Sequence, residues 1–181
     1  AGDVWDYISG GTGKGKTLEK DPLPLIAVTT TAGTGSEVDA WGVISNPETN
    51  EKIGFGGDDR LFPVLALVDP QLMLTVPPQY TAYQGFDALF HSTEVHIGKF
   101  SNGVSDMFTK AAIEAIAAYL PRAVADGNDL EARSKVAFAN TMSGYAMVVA
   151  STTSEHSLEH AMSAFHHELP HGAGLIMISK A

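Results

Sequence analysis

All seven histidines of the chain fall into two short segments. His91 and His96 follow Gly85-Phe86-Asp87-Ala88-Leu89-Phe90, while His156, His160, His166, His167 and His171 lie within HSLEHAMSAFHHELPHG. Neutral imidazole is the commonest nitrogen ligand of divalent transition metals, and a nearby aspartate adds a hard oxygen. Asp87 and His91 are four apart, so on a helix they share one face, about 6 Å apart along the axis. His156 and His160 repeat that spacing. His171, between Pro170 and Gly172, belongs to a loop or a helix start that can fold back on the others. One carboxylate and three imidazoles from three elements would enclose Fe(II), Zn(II) or another borderline divalent ion and leave one position open for a substrate oxygen. Histidines four apart also occur on solvated helix faces, but the gathering of all seven into two patches favours a metal.

These residues must be positioned by two kinds of segment. The first half reads as strand and loop. LIAVTT (25–30) is a short apolar run after Pro22 and Pro24, and PVLALVDP (63–70) is a second one, so both read as buried strands, suited to parallel pairing. WGVIS and EKIGFG flank Asn46-Pro47-Glu48-Thr49-Asn50 and predict a β-hairpin. From Pro77-Pro78 the period changes to that of helices: Thr81 to Ile97, Ser105 to Tyr119 ending before Pro121, about Asp129 to Val149, and Ser154 to Phe165. The boundary therefore falls between residues 1–77, an α/β portion, and residues 78–181, an all-helical portion. The alanine-rich stretch Ala111 to Ala118 is compatible with a homo-oligomer contact and equally with packing inside one chain.

Composition narrows the function classes. Apolar residues make up 44% and charged residues 18% of 181, as in globular proteins that fold in water. Eleven Lys and Arg against 21 Asp and Glu give a formal charge of −10, which repels phosphate backbones and anionic membranes, so nucleic acid is not an expected partner. No cysteine is present, so disulfides and thiolate ligands are excluded. No apolar run approaches the roughly 20 residues of a membrane helix, and the polar start AGDVWDYISGGTGKGK is not a signal peptide, so a cytoplasmic setting is expected. The start without methionine and the end in GLIMISKA suggest a piece of a longer protein.

VTTTAGTGSE follows the first predicted strand. Backbone amides and threonine hydroxyls in such a turn bind phosphate or ribose oxygens, although a plain strand-to-strand turn has the same composition. It is neither a P-loop nor a GxGxxG fingerprint. GTGKGK lacks a strand–loop–helix context and reads as a flexible surface loop.

Four stretches, TTTAGTGSE, VDPQLMLTVPP, TAYQGFDALFHSTE and HSLEHAMSAFHHELPHGAG, together resemble the iron-containing (group III) alcohol dehydrogenases, in that family's order and from Pro24 to the end. The resemblance implies an α/β nucleotide-binding (Rossmann-like) portion followed by an all-α metal-binding domain. It implies Asp87, His91, His156 and His171 as metal ligands, and His160 as a further active-site histidine that is not a ligand. Thr30, Thr31 and Thr34 match the loop lining the nicotinamide cofactor, Lys52 a lysine near its ribose and phosphates, and Leu72 a residue packing near its adenosine. The family's Gly-Gly-Gly-Ser pyrophosphate motif and its last helices have no counterpart here, so the chain resembles the middle of a two-domain enzyme. His96 and the pair His166 and His167 are variations near the expected substrate pocket. The implied activity is reversible hydride transfer between a primary alcohol or aldehyde and NAD or NADP, with Fe(II), or Zn(II), as Lewis acid. A metal-dependent hydrolase is the competing enzyme reading, although no HExxH glutamate base is present. An inert metal-binding fragment is the third.

Overall fold

The computed structural model describes residues 2–180. An α/β portion leads into a helical portion. Strands β1 (Ile26–Thr29) and β4 (Leu65–Val68) pair in parallel, Ile26 opposite Leu65 and Thr29 opposite Val68. Strands β2 (Trp41–Asn46) and β3 (Glu51–Gly56) form the predicted antiparallel hairpin. Its turn is held by the Asn46 side chain, which accepts from the Glu48 amide at 3.0 Å, with Asn50 in the left-handed region at φ 51°.

The apolar runs read as buried strands are not buried. Ile26, Val28, Leu65 and Leu67 are each about half exposed, at 57%, 51%, 47% and 48%. The parallel sheet has two strands, so each has a free edge and little covers its faces. A continuous apolar run records the character of a strand, whereas burial depends on what packs against it.

Five helices follow: α1 (Pro78–Ile97), α2 (Gly103–Ala125), α3 (Leu130–Val149), α4 (Ser154–Ser163) and α5 (His171–Ile178). Pro78 stands at the first position of α1, where a missing N–H costs nothing. Asn102 and Ser105 close a reciprocal capping box on α2, and the Asp129 side chain caps α3 through the Ala132 amide. Helix α2 does not stop before Pro121 as its sequence suggests but continues to Ala125. Leu120 and Ala123 on either side of the proline are buried in the core, and this packing holds the last turn despite the lost backbone bond. Helix α4 ends at Ser163, two residues short of the expected Phe165.

The core lies among α1, α2 and α3. Ala88, Ala112, Ala123, Ala132 and Ala139 let the helix backbones approach, and Ile116, Leu120 and Val136 fill the space between them. Ala112 and Ile116 have at most 2% exposure, so the alanine-rich face of α2 packs within this chain. No helix among the described residues is long and apolar enough to cross a membrane.

Candidate metal centre

Helix α1 carries Asp87 and His91 one turn apart, and α4 and α5 bring His156 and His171 against them. Asp87, His91 and His156 are buried, and the His171 side chain is 29% exposed. One oxygen, Asp87 Oδ1, lies 3.3 Å from His156 Nε2, 3.5 Å from His171 Nε2 and 3.6 Å from His91 Nε2. Donor atoms of Asp87, His156 and His171 all fall within 4.8 Å of one another. The His91 ring stacks on that of His156, centroids 4.3 Å apart.

The opposite nitrogen of each ring is also engaged. His91 Nδ1 donates to the Gly33 carbonyl at 3.3 Å, His156 Nδ1 to Glu94 and His171 Nδ1 to Glu159. With acceptors at all three Nδ1 positions, the imidazole protons belong there, and three Nε2 lone pairs converge on a carboxylate oxygen. Such a set is reconciled by one shared cation, so the residues fit a divalent metal. Without a cation, protons must take its place. His156 is pushed up to about 9, because Asp87 and Glu94 outweigh burial, and His171 is raised in the same way by Asp87 and Glu159. Burial would raise the Asp87 carboxyl, but His91, His156 and His171 hold it well below the usual carboxylate range. His91 is lowered to about 4, chiefly by burial.

Glu94 does more than orient His156. The α4 N-cap, Thr153, makes no side-chain cap of its own. Glu94 replaces it from α1, accepting from the Thr153 amide and hydroxyl and from the His156 amide at 3.1 Å. Replacing Glu94 by alanine is expected to cost about 3 kcal/mol by uncapping α4 and leaving a buried histidine without its acceptor. Thermal unfolding measures this, and a melting temperature equal to the parent's would refute the role.

The threonine loop lies against the same helix. The Ala32 amide donates to Gln84 Oε1 at 3.1 Å, and the Gly35 amide to Asn140 Oδ1 at 2.9 Å. Buried Glu37 accepts from Asn140 Nδ2 and Thr141 Oγ1, which pins the end of the loop to α3. Thr30, Thr31 and Thr34 remain exposed at the carboxyl end of β1, where Thr34 Oγ1 pairs with Ser36 Oγ at 2.6 Å. Leu72, 44% exposed, follows β4 at the same end of the parallel pair. The crevice beyond strand carboxyl ends is where open α/β sheets bind ligands.

Asp39, buried beside this loop, gives a pH signature. Burial, with Glu37 nearby, pushes its carboxyl up to about 6 against the opposing Trp41 amide. A raised carboxyl binds its proton more tightly when folded, so stability falls as pH rises from about 4 through about 6. Asp39→Asn, which keeps the oxygen facing Trp41, is expected to gain about 1–2 kcal/mol at pH 8 and almost nothing at pH 4. Melting curves at the two pH values decide it, and equal gains at both would rule it out.

The family described as "Fe-containing alcohol dehydrogenase family, C-terminal" matches residues 81–179, and "Iron-containing alcohol dehydrogenase" matches residues 1–70. The chain belongs to the iron-containing alcohol dehydrogenase family. Among its relatives, the NAD-dependent methanol dehydrogenase of Bacillus methanolicus is 38% identical over 156 residues, covering 86% of this chain and 40% of that protein. The 1,3-propanediol dehydrogenase of Klebsiella pneumoniae is 37% identical over 171 residues, covering 94% and 42%. The solved alcohol dehydrogenase of an archaeal halo-thermophile from a Red Sea brine pool superposes with a TM-score of 0.92 at 39% identity, covering 97% of this chain and 43% of that one. The sulfoacetaldehyde reductase of Bifidobacterium kashiwanohense, solved with NAD+, gives 0.85 at 36%, covering 94% and 44%. The chain thus spans about two fifths of the length of the relatives it matches.

Within this iron-containing dehydrogenase scaffold, the four residues expected as ligands converge, and His160 stands next to them. Its ring lies 5.4 Å from that of His171 and 6.2 Å from that of His156. Burial, Lys52 and His171 lower it to about 4, so it is a neutral imidazole at pH 7. It borders a groove of about 460 Å³ between β3 and α4, together with Lys52, Ile53 and Phe165. Lys52 faces α4, bonding Glu159 at 3.0 Å and Ser163 at 2.8 Å. Three histidines stay apart: His96 pairs with Thr109 and Asp106 of α2, and His166 and His167 are exposed. Glu94 lies one turn after His91, and Glu159 sits between two histidines in HSLEH, but a solvated helix face accounts for either spacing equally well. The Gly33 carbonyl has no side-chain signal and could not have been found.

Proposed function

We propose that this chain carries the metal centre and part of the cofactor surface of an enzyme that transfers hydride reversibly between a primary alcohol or aldehyde and NAD(P). The supporting observation is that the Gly33 carbonyl of the threonine loop accepts from His91, so the expected cofactor loop and the expected ligands share one wall. A Rossmann-like cofactor domain beside an all-α metal domain is the arrangement this reading requires.

Asp87, His91, His156 and His171 would hold the ion, with Fe(II) favoured by the family and Zn(II) suited to the same donors. The bound ion supplies Lewis acidity toward the alcohol or carbonyl oxygen. His160, neutral and beside the ligands, would orient the substrate hydroxyl or relay its proton, while a bound nicotinamide would supply the hydride chemistry. Thr30, Thr31 and Thr34 offer hydroxyls to the cofactor at the end of β1, and Leu72 offers an apolar surface beside it. NAD is favoured over NADP by the relatives described as NAD-dependent or NAD+-bound.

Titrating NADH and NADPH into the Fe(II)-loaded chain and following nicotinamide fluorescence tests the reading. Saturable binding of a nucleotide is the expected result, and turnover of alcohol is not expected of a chain that spans about two fifths of its relatives' length. Metal uptake with no response to either nucleotide would instead identify a metal-binding module.

A further inference from the structure

Glu159 is fully buried on α4, and the family assignment gives it no role. A carboxylate without solvent is retained only where partners compensate it. Its Oε2 accepts from His171 Nδ1 and from Lys52 Nζ at 3.0 Å, the lysine arriving from β3 and also bonding Ser163. Its other oxygen, Oε1, has no hydrogen-bond partner among the described residues and rests against Gly174 of α5. A Cβ at position 174 would stand 2.9 Å from that oxygen, so α5 has a glycine where it must admit the carboxylate. Sheet, α4 and α5 thus meet at one ion pair that grips the back of the His171 ring.

Glu159, His160 and His171 also have the mutual spacing of a second metal site. The Lys52 ammonium, 3.0 Å from Glu159 Oε2 and 3.4 Å from His171 Nδ1, already supplies the positive charge there, and a second cation would be repelled.

We propose that Glu159, with Lys52 as its counter-ion, is a positioning residue for His171, an inference that rests on reading Asp87, His156 and His171 as metal ligands. By accepting the Nδ1 proton, Glu159 fixes the tautomer that turns the Nε2 lone pair toward Asp87, and its charge makes the ring a better donor. His171 needs this support most, because its side chain is the most exposed of the four and stands at the first residue of a short helix.

Co(II) binding to the full chain tests this, since its visible absorption reports ligand geometry without turnover. Glu159→Gln is expected to fold as the parent does by circular dichroism, to bind Co(II) about 10- to 100-fold more weakly, and to shift the visible bands. In a His171→Ala background, titrated at Co(II) concentrations high enough to fill the weakened site, the same substitution should add no further loss. Parent-like affinity and spectrum in Glu159→Gln would overturn the proposal, as would an equal loss in both backgrounds. Should Glu159→Gln not fold, Glu159→Asp carries the test under the same criteria. Asp87→Ala separates the two levels: if it binds Co(II) like the parent, the metal centre itself is misread.

Discussion

Asp87→Ala is expected to strip the chain of its metal. Among the described residues, Asp87 is the one anionic donor facing the three Nε2 atoms, because Glu94 and Glu159 are both spent on Nδ1 protons. Losing one of four donors should remove about a quarter of a binding free energy on the order of 10–16 kcal/mol, roughly 3–4 kcal/mol or two to three decades in affinity. Elemental analysis of the anaerobically loaded chain should find about one ion in the parent and almost none in Asp87→Ala or His171→Ala. Asp87→Asn keeps the shape but not the charge, so its retained metal measures how much of the affinity is electrostatic. A full complement of metal in Asp87→Ala would sink the assignment.

Gly172→Ala is expected to lose as much stability as Glu94→Ala, with metal affinity falling alongside it. A Cβ at residue 172 would lie 2.2 Å from the Tyr83 carbonyl oxygen and 2.7 Å from its carbon. These are backbone atoms in the middle of α1, so no side chain can swing away, and α5 must retreat. Overpacking of this kind costs about 3 kcal/mol, and at this chain length that lowers Tm by roughly 6–12 °C. His171 is the adjacent residue, so a retreating α5 carries its ring from Asp87. Gly103→Ala is the control: nothing lies within 4 Å of its Cβ, and alanine suits the helix better, so Tm should hold or rise slightly. Equal melting temperatures for the two variants would show that α1 and α5 do not meet as described.

Several features of the fold were legible because their causes are local. The turn residues between β2 and β3, the helical spacing of Asp87 and His91, and the glycines and threonines after β1 each act within a few residues of chain. Pro121 misled because its penalty is local while its compensation is not: Leu120 and Ala123 bury against other helices. The strands misled in the opposite sense, since an apolar run cannot show whether anything covers it.

By itself the sequence determined the chemistry available: one carboxylate and several imidazoles at metal-binding spacing, a threonine-glycine loop, and the family signature that joins them. Only the tertiary structure decided which nitrogen of each histidine faces Asp87. That choice depends on acceptors far away in the chain, Gly33 for His91 and Glu94 for His156, which are 58 and 62 residues distant. It likewise drew Lys52 to Glu159 across 107 residues. Ring orientation is set by hydrogen bonds, and hydrogen bonds across such separations exist only once α1, α4, α5 and the β2–β3 hairpin have packed.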